Sequence, residues 1–232
     1  MAQKIHPTGF RLGIIQVWKS LLQIYGKSFN QYSLLLHKYL QIQRILFRLF
    51  LKNNLMLNYQ EWQVSKKFIF LNIYYVHIDN KSRIFINKKF ITKLLKIINQ
   101  LFLPNIFINF YLKLESEPTV NLISIYAQYL LEQNNSPKKI LWNLCKLLEK
   151  QENLEKIYFF KSGILKVKLK GFKIKLSGRL EGSKNQMAKS IEQSIGSLPL
   201  TSIKNYVEYK NKEIYTKSGI CGIQIWLFYE IN

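Results

Sequence analysis

Residues 165–175 read Leu-Lys-Val-Lys-Leu-Lys-Gly-Phe-Lys-Ile-Lys. Apolar and lysine side chains alternate before and after Gly171, which predicts a β-strand with one apolar face and one lysine face. A glycine-rich, loop-like section follows. Further strands are predicted near 203–209 and 213–217, joined by a short turn, and the last strand at 222–229. The sequence therefore predicts a C-terminal antiparallel sheet with a basic face.

Upstream of this sheet, the residue pattern predicts a small α+β unit at 66–132. The expected elements are a strand at 66–86 with a turn near Asp79-Asn80, a helix at 88–101, a strand at 105–114 and a helix at 118–132. A further helix at 138–150 should begin at Ser136-Pro137, since serine is favoured at a helix cap and proline at the first helical position.

The N-terminal residues 1–28 indicate an extended arm. Residues 30–52 predict a basic amphipathic helix that ends near Asn53-Asn54. Binding to calmodulin or to a membrane surface is one interpretation of such a helix, although a helix packed on its own domain is more common. These patterns divide the chain into 1–60, 61–135 and 136–232.

The charge of the chain indicates a polyanionic partner. There are 35 Lys and Arg residues against 13 Asp and Glu, a net charge of +22 over 232 residues. A charge of this size opposes compaction unless a partner such as nucleic acid neutralises it. Since 48% of residues are hydrophobic, the chain can still bury a core. The apolar runs at 68–78 and 101–112 are shorter than the roughly 18 residues that span a bilayer, so no membrane span is predicted.

The sequence lacks the motifs of an enzyme. It has two cysteines, Cys145 and Cys221, and three histidines, without the spacing of a metal site. No phosphate-binding loop, nucleophile elbow or zinc-protease motif occurs. An intron maturase would need an acidic cluster that the sequence does not show. We therefore expect a binding protein that uses no cofactor and no metal.

Both ends of the chain carry family motifs. Met1-Ala-Gln-Lys-Ile-His-Pro-Thr-Gly-Phe-Arg-Leu-Gly13 resembles the GQKI-P-GFRLG start of small-subunit ribosomal protein three, with Ala2 in place of a glycine. Gly171-Phe-Lys-Ile-Lys-Leu-Ser-Gly-Arg-Leu180 is similar to the family's GIKV-VSGRL signature. Leu198-Pro-Leu200, Val207-Glu-Tyr209 and Gly219-Ile-Cys-Gly-Ile-Gln-Ile-Trp-Leu-Phe228 resemble three later motifs in the same order.

The resemblance implies a fold and a departure from it. The family combines a type II KH domain with a C-terminal α/β sheet domain, and its KH domain grips RNA with a G-K-K-G loop. In the corresponding segment, Asn87 and Phe90 replace both glycines around Lys88 and Lys89. We therefore expect an α+β protein with a degenerate KH domain at 61–135 followed by the C-terminal domain at 136–232. Either Lys88 and Lys89 still contact RNA phosphate, or the KH domain no longer binds RNA and serves only as a structural scaffold.

The resemblance also implies the RNA contacts. Lys138 and Lys139 correspond to basic residues that line the family's mRNA entrance, and Trp142 occupies the third basic position. Lys184 and Lys189 lie where the family has an acidic-arginine stretch. The candidate rRNA-binding residues, taken from the arm, the KH loop and the C-terminal sheet, are Lys4, His6, Arg11, Lys88, Lys89, Lys173, Lys175, Arg179, Lys184 and Lys189.

The function implied is a structural, non-enzymatic one in the head of the small ribosomal subunit. The expected partners are small-subunit rRNA, mRNA and the neighbouring small-subunit proteins ten and fourteen. AT-rich codon usage and the family N-terminus at Met1 favour synthesis inside an organelle. The lost glycine loop and the general divergence favour the mitochondrion, with the plastid as the alternative. A free RNA-binding module outside the ribosome would be expected to keep the intact glycine loop.

Overall fold

A computed structural model of the chain describes eleven segments. They are residues 5–18, 29–64, 68–77, 88–101, 105–112, 119–133, 136–152, 155–160, 163–180, 187–216 and 219–231. Contacts divide the chain into two compact units, here called the small unit (Lys19–Glu115) and the large unit (Met1–Trp18 with Ser116–Asn232). These limits differ from the expected ones at 60/61 and 135/136.

The described residues of the small unit form two helices and three strands. In chain order these are α1 (Phe29–Lys52), β1 (Leu55–Val64), β2 (Phe68–His77), α2 (Lys88–Leu101) and β3 (Asn105–Leu112). The sheet order is β1-β2-β3, with β1 antiparallel and β3 parallel to β2. The sequence predicted all of these elements except β1. The expected turn at Asp79-Asn80 and the loop before Lys88 lie outside the described residues.

The small unit buries one face of its sheet. On β2, Ile69, Leu71 and Ile73 are buried and alternate with more exposed neighbours, as a strand with one covered face requires. Phe50 of α1 and Leu94 of α2 belong to the same core cluster. The helix at 30–52 is therefore packed on its own domain, the more common of the two interpretations.

In the part of the large unit that the structure describes there are two helices and five strands. In chain order these are α3 (Val120–Glu132), α4 (Pro137–Glu149), β4 (Glu155–Phe160), β5 (Gly163–Gly178), β6 (Lys189–Gly196), β7 (Tyr206–Thr216) and β8 (Gly219–Ile231). All pairings are antiparallel, in the order β4-β5-β8-β7. β6 pairs with the second half of β5, on the edge whose first half pairs with β4.

The large unit corrects part of the predicted strand pattern. The strands expected near 203–209 and 213–217 form one continuous strand, β7, with no turn between them. Lys210, Asn211 and Lys212 are polar, yet they pair in register with Ile225, Gln224 and Ile223 of β8. Pairing with the buried strand β8 outweighs the turn tendency of the local sequence.

The alternation on β5 is confirmed, and it builds the core. Val167, Leu169, Phe172, Ile174 and Leu176 are all at most 4% exposed. They belong to one cluster with apolar residues of α3, α4, β7 and β8. Mixed α+β architecture is therefore confirmed for this chain.

Both helices of the large unit begin next to a residue type that is favoured at a helix N-cap. Ser136 is the N-cap residue of α4 and Pro137 its first residue, as predicted, although the serine side chain makes no capping hydrogen bond. Thr119 caps α3 through its hydroxyl, which accepts from Leu122 N. Glu208 of β7 accepts from Val120 N at 3.3 Å and so attaches the start of α3 to the sheet.

Of the helices that the structure describes, none has the length and apolar character needed to cross a membrane.

Candidate RNA-binding surface

The lysine face of β5 forms rows with the neighbouring strands. Lys173 lies opposite Ser194 of β6 and Trp226 of β8, and Trp226 lies opposite Tyr209 of β7. The next row places Lys175 between Glu192 and Gln224. These side chains are exposed or partly exposed, on the face of the sheet opposite Ile174 and its apolar neighbours. We call this surface the lysine face.

Glutamates accompany the lysines of β5. Lys166 and Lys168 both reach Glu155, at 3.6 and 3.0 Å, and Lys170 lies 2.8 Å from Glu230. Lys173 and Lys175 both reach Glu192, at 3.1 and 3.8 Å. The five lysines of β5 therefore share three carboxylates. The net charge of these eight side chains is about +2, whereas the five lysines alone would carry +5.

The neighbouring lysines lower the pKa values of Glu155 on β4 and Glu192 on β6. A hydrogen bond from Lys173, and then its charge, lower the pKa of Glu192 below the ordinary 4.5. Lys168 lowers the pKa of Glu155 in the same way. Both carboxylates are exposed, so solvent screens these pairs and they contribute little stability.

Arg11 is buried, which does not fit the RNA contact expected from the sequence. Its side chain is 0% exposed. The guanidinium donates to the carbonyl oxygens of Pro7 at 2.9 Å, Asn205 at 3.1 Å and Leu200 at 2.8 Å, and also to that of Ser202. With four of its five N–H groups donating to backbone carbonyls, Arg11 attaches the N-terminal arm to the loop before β7.

His6 of the arm borders the lysine face. Its ring meets Tyr209 edge-on, with centroids 4.8 Å apart, and Tyr209 lies 5.2 Å from Trp226. His6 Nδ1 accepts from Gly9 N at 3.3 Å, so the neutral ring carries its proton on Nε2. Lys173 Nζ lies 6.0 Å from the Trp226 ring centroid. Tyr209 and Trp226 were not among the predicted site residues, although both lie in quoted family motifs.

α4 presents a second basic surface. Lys138 and Lys139 are exposed in its first turn. Trp142 is 57% exposed one turn later, and the Lys146 ammonium lies 4.8 Å from its ring centroid. Basic side chains thus flank an exposed indole along this helix.

The other candidate residues are dispersed. Lys88 and Lys89 are the first two residues of α2 in the small unit. Lys189 is exposed at the start of β6, and Arg179 is partly exposed just after β5. Lys4 and Lys184 lie outside the described residues. Of the predicted set, the structure brings together Lys173, Lys175 and His6 on the large unit.

Comparison with known proteins agrees with the motifs. The model of the ribosomal protein S3 C-terminal domain matches residues 154–227, which span β4 to β8. Small ribosomal subunit protein uS3m, the mitochondrial form, of Chondrus crispus is 43% identical over 229 residues, covering 99% of this chain and 94% of the relative.

Bacterial and plastid relatives match over similar lengths. Small ribosomal subunit protein uS3 of Carsonella ruddii is 31% identical, covering 100% of this chain and 99% of the relative. The uS3c protein of Tupiella akineta is 29% identical, with 98% of each covered. This chain therefore belongs to the ribosomal protein S3 family of structural, non-enzymatic small-subunit proteins.

Proposed function

We propose that this chain is a structural constituent of the small-subunit head and binds rRNA there. The observation that carries the proposal is the 43% identity to uS3m over nearly the whole chain. The net charge of +22 supports it, because neutralising rRNA phosphates offsets the self-repulsion of such a chain. Lys173, Lys175, Lys189, Arg179 and His6 of the large unit are the described residues that we assign to rRNA.

The rRNA contact on the lysine face is weaker than the sequence pattern suggested. Glu192 already interacts with Lys173 and Lys175, so RNA phosphates must compete with that carboxylate. Lys189 lies on the same strand, β6, and is exposed. Arg11 is removed from the set, because its donors already serve backbone carbonyls.

The small unit is proposed to be the degenerate type II KH domain. Its strand–helix–strand order from β2 to β3 and the lysine pair at the start of α2 support this assignment. Lys88 and Lys89 would contact phosphate at that helix start, where backbone N–H groups also favour anions. Asn87 and Phe90 replace the loop glycines, so we expect no close backbone grip of single-stranded RNA.

α4 is proposed to border the mRNA path. Lys138 and Lys139 are exposed and available to phosphate, and the exposed ring of Trp142 can stack on an unpaired base. Stacking replaces at this position the charge that the family's basic residue supplies.

The proposed protein neighbours and the proposed location are inferred from membership of the S3 family. Small-subunit proteins ten and fourteen are the proposed neighbours. The mitochondrial location predicted from the sequence agrees with the 43% identity to uS3m, against 28–29% to plastid uS3c proteins, the stated alternative.

Sedimentation tests the proposal. Organelle lysate is run through a sucrose gradient at moderate salt, and the chain is detected by antibody beside a small-subunit rRNA probe. We expect co-migration with the small subunit, lost only when high salt strips rRNA contacts. Migration at the top of the gradient at moderate salt would contradict the ribosomal role, and would favour a free RNA-binding module.

A further inference from the structure

The sheet of the small unit has one face that its helices do not cover. Side chains on this face alternate with the buried Ile69, Leu71 and Ile73. We call it the aromatic face. The members whose side chains the structure describes are, by strand register, Tyr59, Glu61, Gln63, Phe68, Phe70, Asn72, Tyr74, Phe107, Asn109 and Tyr111.

Six of these ten side chains are aromatic, and they lie in contact with one another. Tyr74 stacks on Tyr59 with ring centroids 4.2 Å apart, and on Tyr111 at 5.1 Å. Phe107 stacks on Phe70 at 5.3 Å and contacts Phe68 at 5.7 Å. An amide pair lies between the two groups, in which Asn109 donates to Asn72 at 3.1 Å.

The aromatic face is exposed to an unusual degree for such side chains. Phe68, Phe70, Phe107 and Tyr111 are 39%, 36%, 48% and 43% exposed. Contiguous apolar surface of this kind, bordered by polar groups, marks an interaction site in soluble proteins. The chain therefore presents a surface that the described part of the small unit leaves uncovered.

Ring orientation excludes a platform for RNA bases. The stacked pairs have interplanar angles of 17–21° and centroids 4.2–5.3 Å apart across neighbouring strands. Coplanar rings lying side by side on the sheet would overlap at these distances, so each stacked pair turns its ring faces towards each other and covers part of them. Base stacking needs exposed ring faces, which this surface offers only at its margins.

The charge of the face also disfavours RNA. Its ten side chains include one carboxylate, Glu61, and no lysine or arginine, in a chain with 35 of them. Glu61 is exposed and accepts from the Tyr74 hydroxyl at 3.2 Å. Phosphate binding depends on cations, which these ten described side chains do not supply.

We propose that the aromatic face is a docking surface for another protein of the small subunit. The partner offers an apolar helix or strand face to the rings and a lysine or arginine to Glu61. Charge complementarity at Glu61 and the aromatic content, which is typical of interface cores, support this partner over RNA. The proposal rests on the proposed place of this chain in the small subunit, but not on rRNA binding by the large unit.

Photo-crosslinking tests the partner's identity. The full recombinant chain carrying benzoylphenylalanine at Phe107 is added to small subunits from which salt washing has removed the native chain, and the sample is irradiated. We expect one nuclease-resistant adduct with a different protein, whose crosslinked peptide is apolar and contains a basic residue. An adduct with rRNA, an adduct with a second copy of this chain, or no adduct would overturn the proposal.

A matched pair of variants measures the contribution of the surface. Phe70→Ser combined with Phe107→Ser should reduce retention on the subunit in high-salt washes by about tenfold or more, since two ring contacts of this size are lost. Leu34→Ser combined with Leu40→Ser, at two leucines that are 61% and 44% exposed on α1, should leave retention unchanged. Equal retention of the two variants would argue against the docking surface.

Separate measurements keep the two proposals distinct. Circular dichroism checks that the serine variants and the benzoylphenylalanine protein are folded. If the protein with benzoylphenylalanine at Phe107 is not folded, benzoylphenylalanine is placed at Tyr111 instead. Filter binding to an rRNA fragment should be the same for wild type and for Phe70→Ser/Phe107→Ser. A chain that forms the protein adduct but does not bind rRNA would refute the proposed rRNA role and leave this one standing.

Discussion

The Lys173 ammonium lies 3.1 Å from the Glu192 carboxylate, across the pairing of β5 and β6. The same carboxylate lies 3.8 Å from Lys175. A stripe that looks purely basic in the sequence of β5 is therefore partly neutralised by a residue of a neighbouring strand. RNA must displace or tolerate this carboxylate to reach the two lysines.

Replacing Glu192 with glutamine should strengthen RNA binding. The change releases two lysines from one carboxylate and keeps the size and strand pairing of the side chain. We expect affinity for an rRNA fragment to rise about two- to fivefold at low salt, with a smaller gain at higher salt because screening weakens exposed charges. Filter binding over a salt series measures this effect.

Glu61→Gln is the charge-matched control, since it also adds one net positive charge but lies on the small unit. It should change RNA affinity much less than Glu192→Gln does. Equal gains from both variants would show that net charge alone matters, and that the lysine face is not a contact surface.

Arg11 should be essential for stability and dispensable for RNA contact. Arg11→Ala removes a buried guanidinium and leaves four backbone carbonyl oxygens without their donor, which should lower the free energy of unfolding by about 3 kcal/mol. Arg11→Lys should be costly too, at about 2 kcal/mol, because an ammonium cannot reproduce the fork of guanidinium donors. Urea unfolding measures both.

RNA affinity separates the two roles of Arg11. Under conditions where Arg11→Lys is fully folded, its affinity for the rRNA fragment should match wild type. A folded Arg11→Lys protein with clearly weakened RNA binding would restore Arg11 to the RNA-binding set.

The sequence could predict elements whose pattern is local. The apolar alternation of β5, the bounds of α2 and the Ser136-Pro137 start of α4 all depend on neighbouring residues, and all three are confirmed. β6 escaped prediction because its sequence is largely polar, and β4 because it is short and begins with two charged residues. Glu155 and Glu192 on these strands serve as partners for β5 lysines, a relationship visible only when the strands pair.

The candidate site was harder to predict than the fold. Arginine is seldom fully buried, so charge alone marked Arg11 as a surface residue. Its burial depends on the carbonyls of Leu200 and Ser202, which are about 190 residues away in sequence. The aromatic row at Tyr209 and Trp226 was missed for a similar reason, because the two lie on different strands.

Acid should remove the contribution of the glutamate–lysine pairs. The pKa of Glu192 is lowered in the folded chain, so the pair stabilises the fold above the ordinary pKa of 4.5 and ceases to do so as pH falls through the lowered value. The difference in melting temperature between wild type and Glu192→Gln should be small at pH 7 and should vanish once the pH has fallen below the lowered pKa of Glu192. A difference that grows on acidification would contradict this sign.

The α4 lysines should contribute to binding of single-stranded RNA. Lys138→Gln combined with Lys139→Gln should reduce the slope of log affinity against log salt by about 1.4, or about 0.7 per phosphate contact. The expected loss of affinity for an unstructured oligonucleotide is measured by fluorescence anisotropy. Lys166→Gln/Lys168→Gln, which removes the same charge from β5 where Glu155 already pairs with it, is the control and should change the slope less.

Cys145 should report on the packing of α4. Its thiol is 2% exposed, and burial raises its pKa to about 11. Because only the thiolate reacts readily, a Cys221→Ser chain, in which Cys145 is the remaining thiol, should be nearly inert to a disulfide reagent at pH 8 and should react rapidly in urea. Absorbance of the released thiol follows the reaction. Fast labelling of the folded chain without urea would show that α4 does not pack on the sheet as described.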